Sequence, residues 1–198
     1  MRGIFIRVVA AAAVLVLIFL GIGMVLPRNY DVQAEITIEA PPETIFPMIN
    51  QLPNWRTWSS WNSEKNTGLE IHYGLIMDGE KASLSWREQR GNGSLWIHRS
   101  VQNEVIEYRS KFADFPTMDS SLRLIEEEPD KTRIVWRSQG RLPAGPFYGW
   151  AAIVFGTGLT AQYDRDLLNL KNLCEKEFAE LGKPPPAAQR SYDPGISF

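Results

Sequence analysis

From Val8 to Leu26 the chain reads VVAAAAVLVLIFLGIGMVL, a run with neither a charge nor a proline. As a helix it is about 28 Å long, close to the ~30 Å hydrocarbon core of a bilayer. Arg2 and Arg7 precede it; Pro27 and Arg28 close it. The rival reading is a cleaved signal peptide, whose apolar stretch is usually about 7–15 residues long. This run is longer, and Val32-Gln33-Ala34 offers a cleavage-like site only late, inside a predicted strand. The expectation is an uncleaved transmembrane anchor over residues 1–29, with the lipid bilayer as partner through Val8–Leu26. Arg2 and Arg7 on one side outnumber Arg28 on the other, and Asp31, Glu35, Glu39 and Glu43 follow. The positive-inside rule then puts the N-terminus in the cytoplasm and the rest outside, which is the periplasm if the membrane is an inner membrane.

What remains of the 198 residues suffices for one domain, over residues 30–182, and a Pro-rich tail expected to be disordered at 183–198. A formal net charge of −2 supplies no basic face for nucleic acid. One cysteine, Cys174, excludes an intrachain disulfide. Seven tryptophans call for surroundings that are apolar at one end and polar at the other.

Asp31–Ala40 alternates as a half-buried strand. Pro41 and Pro42 then suit a helix start, and Pro47 and Pro53 predict short, broken helical pieces. Strand-like runs follow near Leu69–Leu75, Ala82–Glu88, Ser94–Val101, Val105–Phe112, Ser121–Glu127 and Arg133–Gln139. Turns are expected at Asp78-Gly79, Gly91-Asn92-Gly93, Gln102-Asn103 and Pro129-Asp130. Such short connections predict an antiparallel meander. Gly140 to Pro146 reads as a linker. Leu159, Tyr163, Leu167, Leu170, Cys174, Phe178 and Leu181 then recur at helical spacing. They predict a long amphipathic helix that starts between Gly149 and Leu159 and stops at Gly182.

Certain motifs within this order carry a resemblance. They are Ile36-Thr37-Ile38-Glu39-Ala40-Pro41-Pro42-Glu43-Thr44-Ile45-Phe46, then Leu52-Pro53-Asn54-Trp55 with Trp58 and Trp61, and Phe155-Gly156-Thr157-Gly158-Leu159 leading to Leu168-Asn169-Leu170-Lys171. On them the chain, from about Tyr30 to Leu181, resembles the SRPBCC superfamily of START lipid-transfer domains, birch-pollen-allergen-like proteins and polyketide cyclases. It looks most like the membrane-anchored bacterial members. Ser60 stands where that family usually has a proline. The resemblance implies an α+β helix-grip fold: about seven antiparallel strands curved around a long C-terminal helix. It also implies a cavity between sheet and helix that takes an apolar small molecule. A fold of this kind does not fix a chemistry.

Strand alternation places Trp86, Tyr108, Phe112 and Trp136 on inward faces, and Tyr163 lies on the apolar stripe of the helix. If the resemblance holds, these five line the cavity; the alternative is a filled core. Trp55, Trp58 and Trp61 either pack the end of the sheet or form a rim that touches ligand or lipid headgroups. His72 and His98 sit in predicted strands with no cluster at metal-ligand spacing, so no metal or cofactor is called for. Cys174 reads as a small core residue. The leading function is a membrane-anchored binding module for a lipid or other apolar molecule. A cyclase or aromatase-like enzyme, needing acid and base groups in the cavity, is one alternative. A structural or interaction protein of the envelope, with unnamed protein partners, is the other.

Overall fold

Alternation along the chain becomes one sheet. The computed structural model describes residues 2–61, 68–89, 91–113 and 115–181. Among these residues β1 (Asn29–Ile38), β2 (Glu70–Tyr73), β3 (Ser83–Glu88), β4 (Gly91–Val101), β5 (Val105–Phe112), β6 (Met118–Glu128) and β7 (Lys131–Arg141) form a seven-stranded sheet in the order β1-β7-β6-β5-β4-β3-β2. Strands β2 to β7 are a meander. Strand β1 closes the far edge against β7, with Ile36 opposite Ile134. Helix α1 (Arg2–Val25) precedes the sheet. Helix α2 (Pro42–Asn50), a 3-10 turn at Leu52–Asn54 and the short α3 (Trp55–Trp58) lead from β1 to β2. Helix α4 (Pro146–Leu181) follows β7 and completes the helix-grip α+β arrangement.

The period of two buries Leu84 and Trp86, Ile106 and Tyr108, Leu122 and Leu124, and Ile134 and Trp136 on the face toward α4. The helix answers with Tyr163, Leu167, Leu170 and Cys174. Each fully buried large apolar side chain stabilises the fold by about 1.5–3 kcal/mol. Polar bonds fix where α4 ends up. The Lys171 ammonium donates to the Thr37 carbonyl at 2.7 Å, and the Glu175 carboxylate accepts from the Glu39 N–H at 2.9 Å. The second half of α4 is thereby tied to the end of β1.

Several boundaries differ from expectation for local reasons. Helix α1 extends back to Arg2 and so carries both flanking arginines. Helix α2 runs through Pro47 rather than breaking there. The bond Pro47 cannot donate belongs to the carbonyl of Glu43, an exposed residue of the first turn that water can serve. Gly91-Asn92-Gly93 is not a turn but the start of β4, because the Trp86 indole lies where a Gly93 β-carbon would be. Gly140 likewise belongs to β7 and seats the Tyr30 ring across the strand pair. Helix α4 starts at Pro146, earlier than the periodicity indicated, with proline at a position that needs no N–H. Gly182 and the tail at 183–198 lie outside the described residues.

Candidate functional site

The space between sheet and α4 is filled with rings. Trp55 and Trp58 are each only 1% exposed. Their indole N–H groups donate to the Ile49 and Met48 carbonyls at 2.8 and 2.9 Å. Two short helical pieces point them inward, where both pack among the other rings. Half-buried Trp61 stacks on Trp55 at 5.6 Å and tilts against Trp86 at 5.2 Å. Trp136 stacks on Tyr163 at 3.9 Å and meets Trp58 edge-on at 5.7 Å, while Trp55 meets Tyr108 edge-on at 5.3 Å. Such pairs add about 0.5–1.5 kcal/mol each beyond burial.

The polar tips of these rings satisfy one another. The Trp136 indole N–H donates to the Tyr108 hydroxyl at 2.9 Å. Ser138 Oγ shares 2.6 Å hydrogen bonds with both the Tyr163 hydroxyl and Ser120 Oγ. Burial holds both phenols well above their ordinary range. Asp166 is the one buried acid among the described residues. The Ser60 hydroxyl donates to its Oδ1 at 2.6 Å, yet burial outweighs that bond and raises its pKa. A void of about 40 Å³ remains beside Tyr108, Trp136, Tyr163 and Asp166, and one of about 10 Å³ beside Trp55, Trp61 and Trp86. The first can hold a water molecule, not a substrate.

The larger space lies elsewhere. A groove of about 510 Å³ opens between the first turns of α4 and the adjoining end of the sheet. Tyr148, Ala151, Val154 and Phe155 form its helical wall. Tyr30, Phe112, Phe115, Met118 and Leu142 form the facing wall, with Ser110 and Arg141 as polar groups. Tyr30 meets Phe155 edge-on at 5.0 Å. Burial, then the charge of Asp119, raises the Tyr30 phenol. The size and apolar lining with few polar groups suit a small-molecule site. Of the five residues expected to line a cavity, Phe112 alone lies in this groove. Tyr108, Trp136 and Tyr163 edge the smaller void, and Trp86 the smallest.

One signal for the groove was present in the chain. Counting back from Leu159 along the buried stripe of α4 gives Gly156, Ala152 and Gly149, all small, while Phe147, Ile153, Val154 and Phe155 face away. Small residues inward and large apolar ones outward reverse ordinary amphipathicity.

The same turns of α4 meet α1. Gly23 and Gly149 lie against each other so closely that a β-carbon on Gly149 would run into the Gly23 carbonyl, and one on Gly23 into the Pro146 carbonyl. Phe19 and Trp150 stack in parallel at 4.9 Å, and the Trp150 indole N–H donates to the Phe19 carbonyl at 3.2 Å. Helix α1 is long and apolar enough to cross a membrane, and apart from Gly23 its side chains are exposed or only partly covered.

His72, on edge strand β2, and His98, at the bulge in β4, are both exposed, and neither lines any of these spaces. Cys174 is fully buried, and burial pushes its thiol up to about 12, which makes it inert. Among the described residues no group of three or more His, Cys, Asp or Glu is placed to hold a metal.

These features define a helix-grip protein with a ring-filled interior and an apolar groove at one end of its helix. The family model described as "Polyketide cyclase / dehydrase and lipid transport" matches residues 30–175, and the chain belongs to that family, within the SRPBCC superfamily. No curated protein matches. Solved structures share the fold. SA2116 of Staphylococcus aureus, a protein of unknown function, has a TM-score of 0.59 at 12% identity, over 75% of this chain and 96% of its own. TTHA0849 of Thermus thermophilus has 0.56 at 17%, over 75% and 99%. The Aha1 dimer of Colwellia psychrerythraea has 0.54 at 15%, over 74% and 96%.

Proposed function

We propose that the chain is a single-pass membrane protein whose domain binds a lipid or other apolar small molecule in the groove beside α1. The observation that carries this reading is the 510 Å³ apolar groove, one wall of which is the segment of α4 that seats α1. A cleaved leader has no need of a fitted partner, so the Gly23–Gly149 contact supports retention of α1 as an anchor. The charge bias of Arg2 and Arg7 over Arg28 supports an N-terminus in the cytoplasm and a domain on the outer face of the cell (inner) membrane, in the periplasm where there is one. The family description, with lipid transport among its terms, supports the ligand class.

The enzyme alternative has less support. Cyclase chemistry needs acid and base groups that reach a substrate. Both histidines face solvent, and the void beside Asp166 is too small.

Native mass spectrometry of the full chain, released from lipid nanodiscs, tests the proposal. A bound lipid or other apolar molecule is expected at one per chain. Ala151→Trp, which fills the groove, is expected to remove it while the domain's melting temperature holds. A chain that carries nothing, or an Ala151→Trp chain that carries as much as the parent, would count against the groove.

A further inference from the structure

We infer that the first three turns of α4, from Pro146 to about Phe155, are embedded in the membrane leaflet that α1 exits. The inference rests on the anchor reading above and goes beyond it, because an anchor alone would leave these turns in water.

The first argument is one of level. Trp150 stacks on Phe19, which lies seven residues before Leu26. At 1.5 Å per residue, that is about 10 Å inside the end of the apolar run. The run from Val8 to Leu26 is about as long as the hydrocarbon core is thick, so lifting Phe19 into water would leave the span about 10 Å short. Whatever stacks on Phe19 is therefore inside the leaflet.

The second argument is the surface itself. Phe147, Ile153 and Val154 are 64, 58 and 74% exposed. No charged residue occurs from Leu142 to Tyr163, and Arg141 and Asp164 bound the stretch. The buried side of these turns carries Gly149 and Ala152. Water is the wrong neighbour for such a face, and an acyl chain the right one.

The third argument is polar satisfaction, which hydrocarbon demands. Pro146 at the helix start has no N–H to leave bare. The Tyr148 N–H reaches the Gly145 carbonyl at 3.2 Å. Just beyond, the hydroxyls of Thr157 and Thr160 donate back to the Ile153 and Gly156 carbonyls at 3.1 and 3.0 Å. Ala151, Val154 and Phe155 belong both to these turns and to the groove wall, so the groove opens at the level of the lipid chains.

The test uses the full chain in vesicles of phosphatidylethanolamine and phosphatidylglycerol. Ile153→Cys, Leu15→Cys and Leu168→Cys each carry an environment-sensitive fluorophore; Ile153 is exposed and lies outside the groove lining, and the parent, whose Cys174 is buried, is the labelling blank. Labels at 153 and 15 are expected to lose most of their emission to brominated acyl chains and little to iodide, and the label at 168 the reverse. Iodide quenching at 153 with lipid quenching kept at 15 overturns the insertion and leaves the anchor standing. Shielding of 153 from both quenchers means that protein, a second copy or a partner, covers the face, and overturns it too. Iodide quenching at 15 removes the anchor, and the inference falls with it.

Discussion

Ser138 is where the interior is most exposed to a single change. Its hydroxyl bridges Tyr163 and Ser120, all three buried. Ser138→Ala leaves two hydroxyls each short of a partner, and a loss of about 1–3 kcal/mol is expected in chemical denaturation of the full chain in detergent. A loss below about 0.5 kcal/mol would mean that water in the adjacent void takes over the bonds. Asp166 makes a pH-dependent contribution. Burial raises its pKa, so the folded chain keeps this proton to higher pH than the unfolded chain does. The contribution is therefore most favourable below the ordinary carboxylate value near 4 and falls as pH rises through the raised value. Asp166→Asn removes that decline. The melting temperature of the variant relative to the parent should climb from about pH 4 upward and then level off; a gap that stays flat with pH would refute the assignment. Ser60 supplies the hydroxyl that partly offsets this burial. Sequence reading found the rings of this network but not Asp166 or Ser138, because a lone acid or serine on a helix or strand carries no local sign of burial.

At the scale of elements, α4 is two helices in one. Its second half follows the period of Tyr163, Leu167, Leu170 and Cys174 and was legible as a core helix. Its first half leaves the sheet to meet α1, and there the period inverts. The strands were legible because alternation and turn residues are local properties; Asn103, at φ 61°, occupies an expected turn in a left-handed conformation that asparagine tolerates. Gly93 and Gly140 carry the local signature of punctuation, whereas a ring from the neighbouring strand requires each of them. The inverted period marks the helical side of the groove, but its facing wall was not legible, since the groove arises only where one helix diverges from one sheet. The seam between α1 and α4 has its own test. Gly23→Ile should drive the helices apart, because a side chain there has no room beside Pro146. The change lies outside the sheet domain, so its melting temperature should shift by no more than about 0.5 kcal/mol would produce. A label at Ile153 should gain access to iodide; unchanged shielding would show that the seam does not hold these turns in place.

For the whole molecule, the family supplies the grip and this chain supplies a particular way of being held. The interior that such a fold could have kept open is occupied by Trp55, Trp58, Trp136 and Tyr163, and the larger open volume lies at the first turns of α4, where α1 packs. Binding and location thus become one question on the proposed reading. The seat of Gly149 on Gly23 has a further consequence. A domain on a slack leash could swing, turn and stretch across an aqueous gap with its load. On the proposed reading, a domain clamped to its own anchor can do none of these; it travels as a raft travels, in two dimensions and at one height, and any exchange of cargo has to take place with whatever drifts alongside.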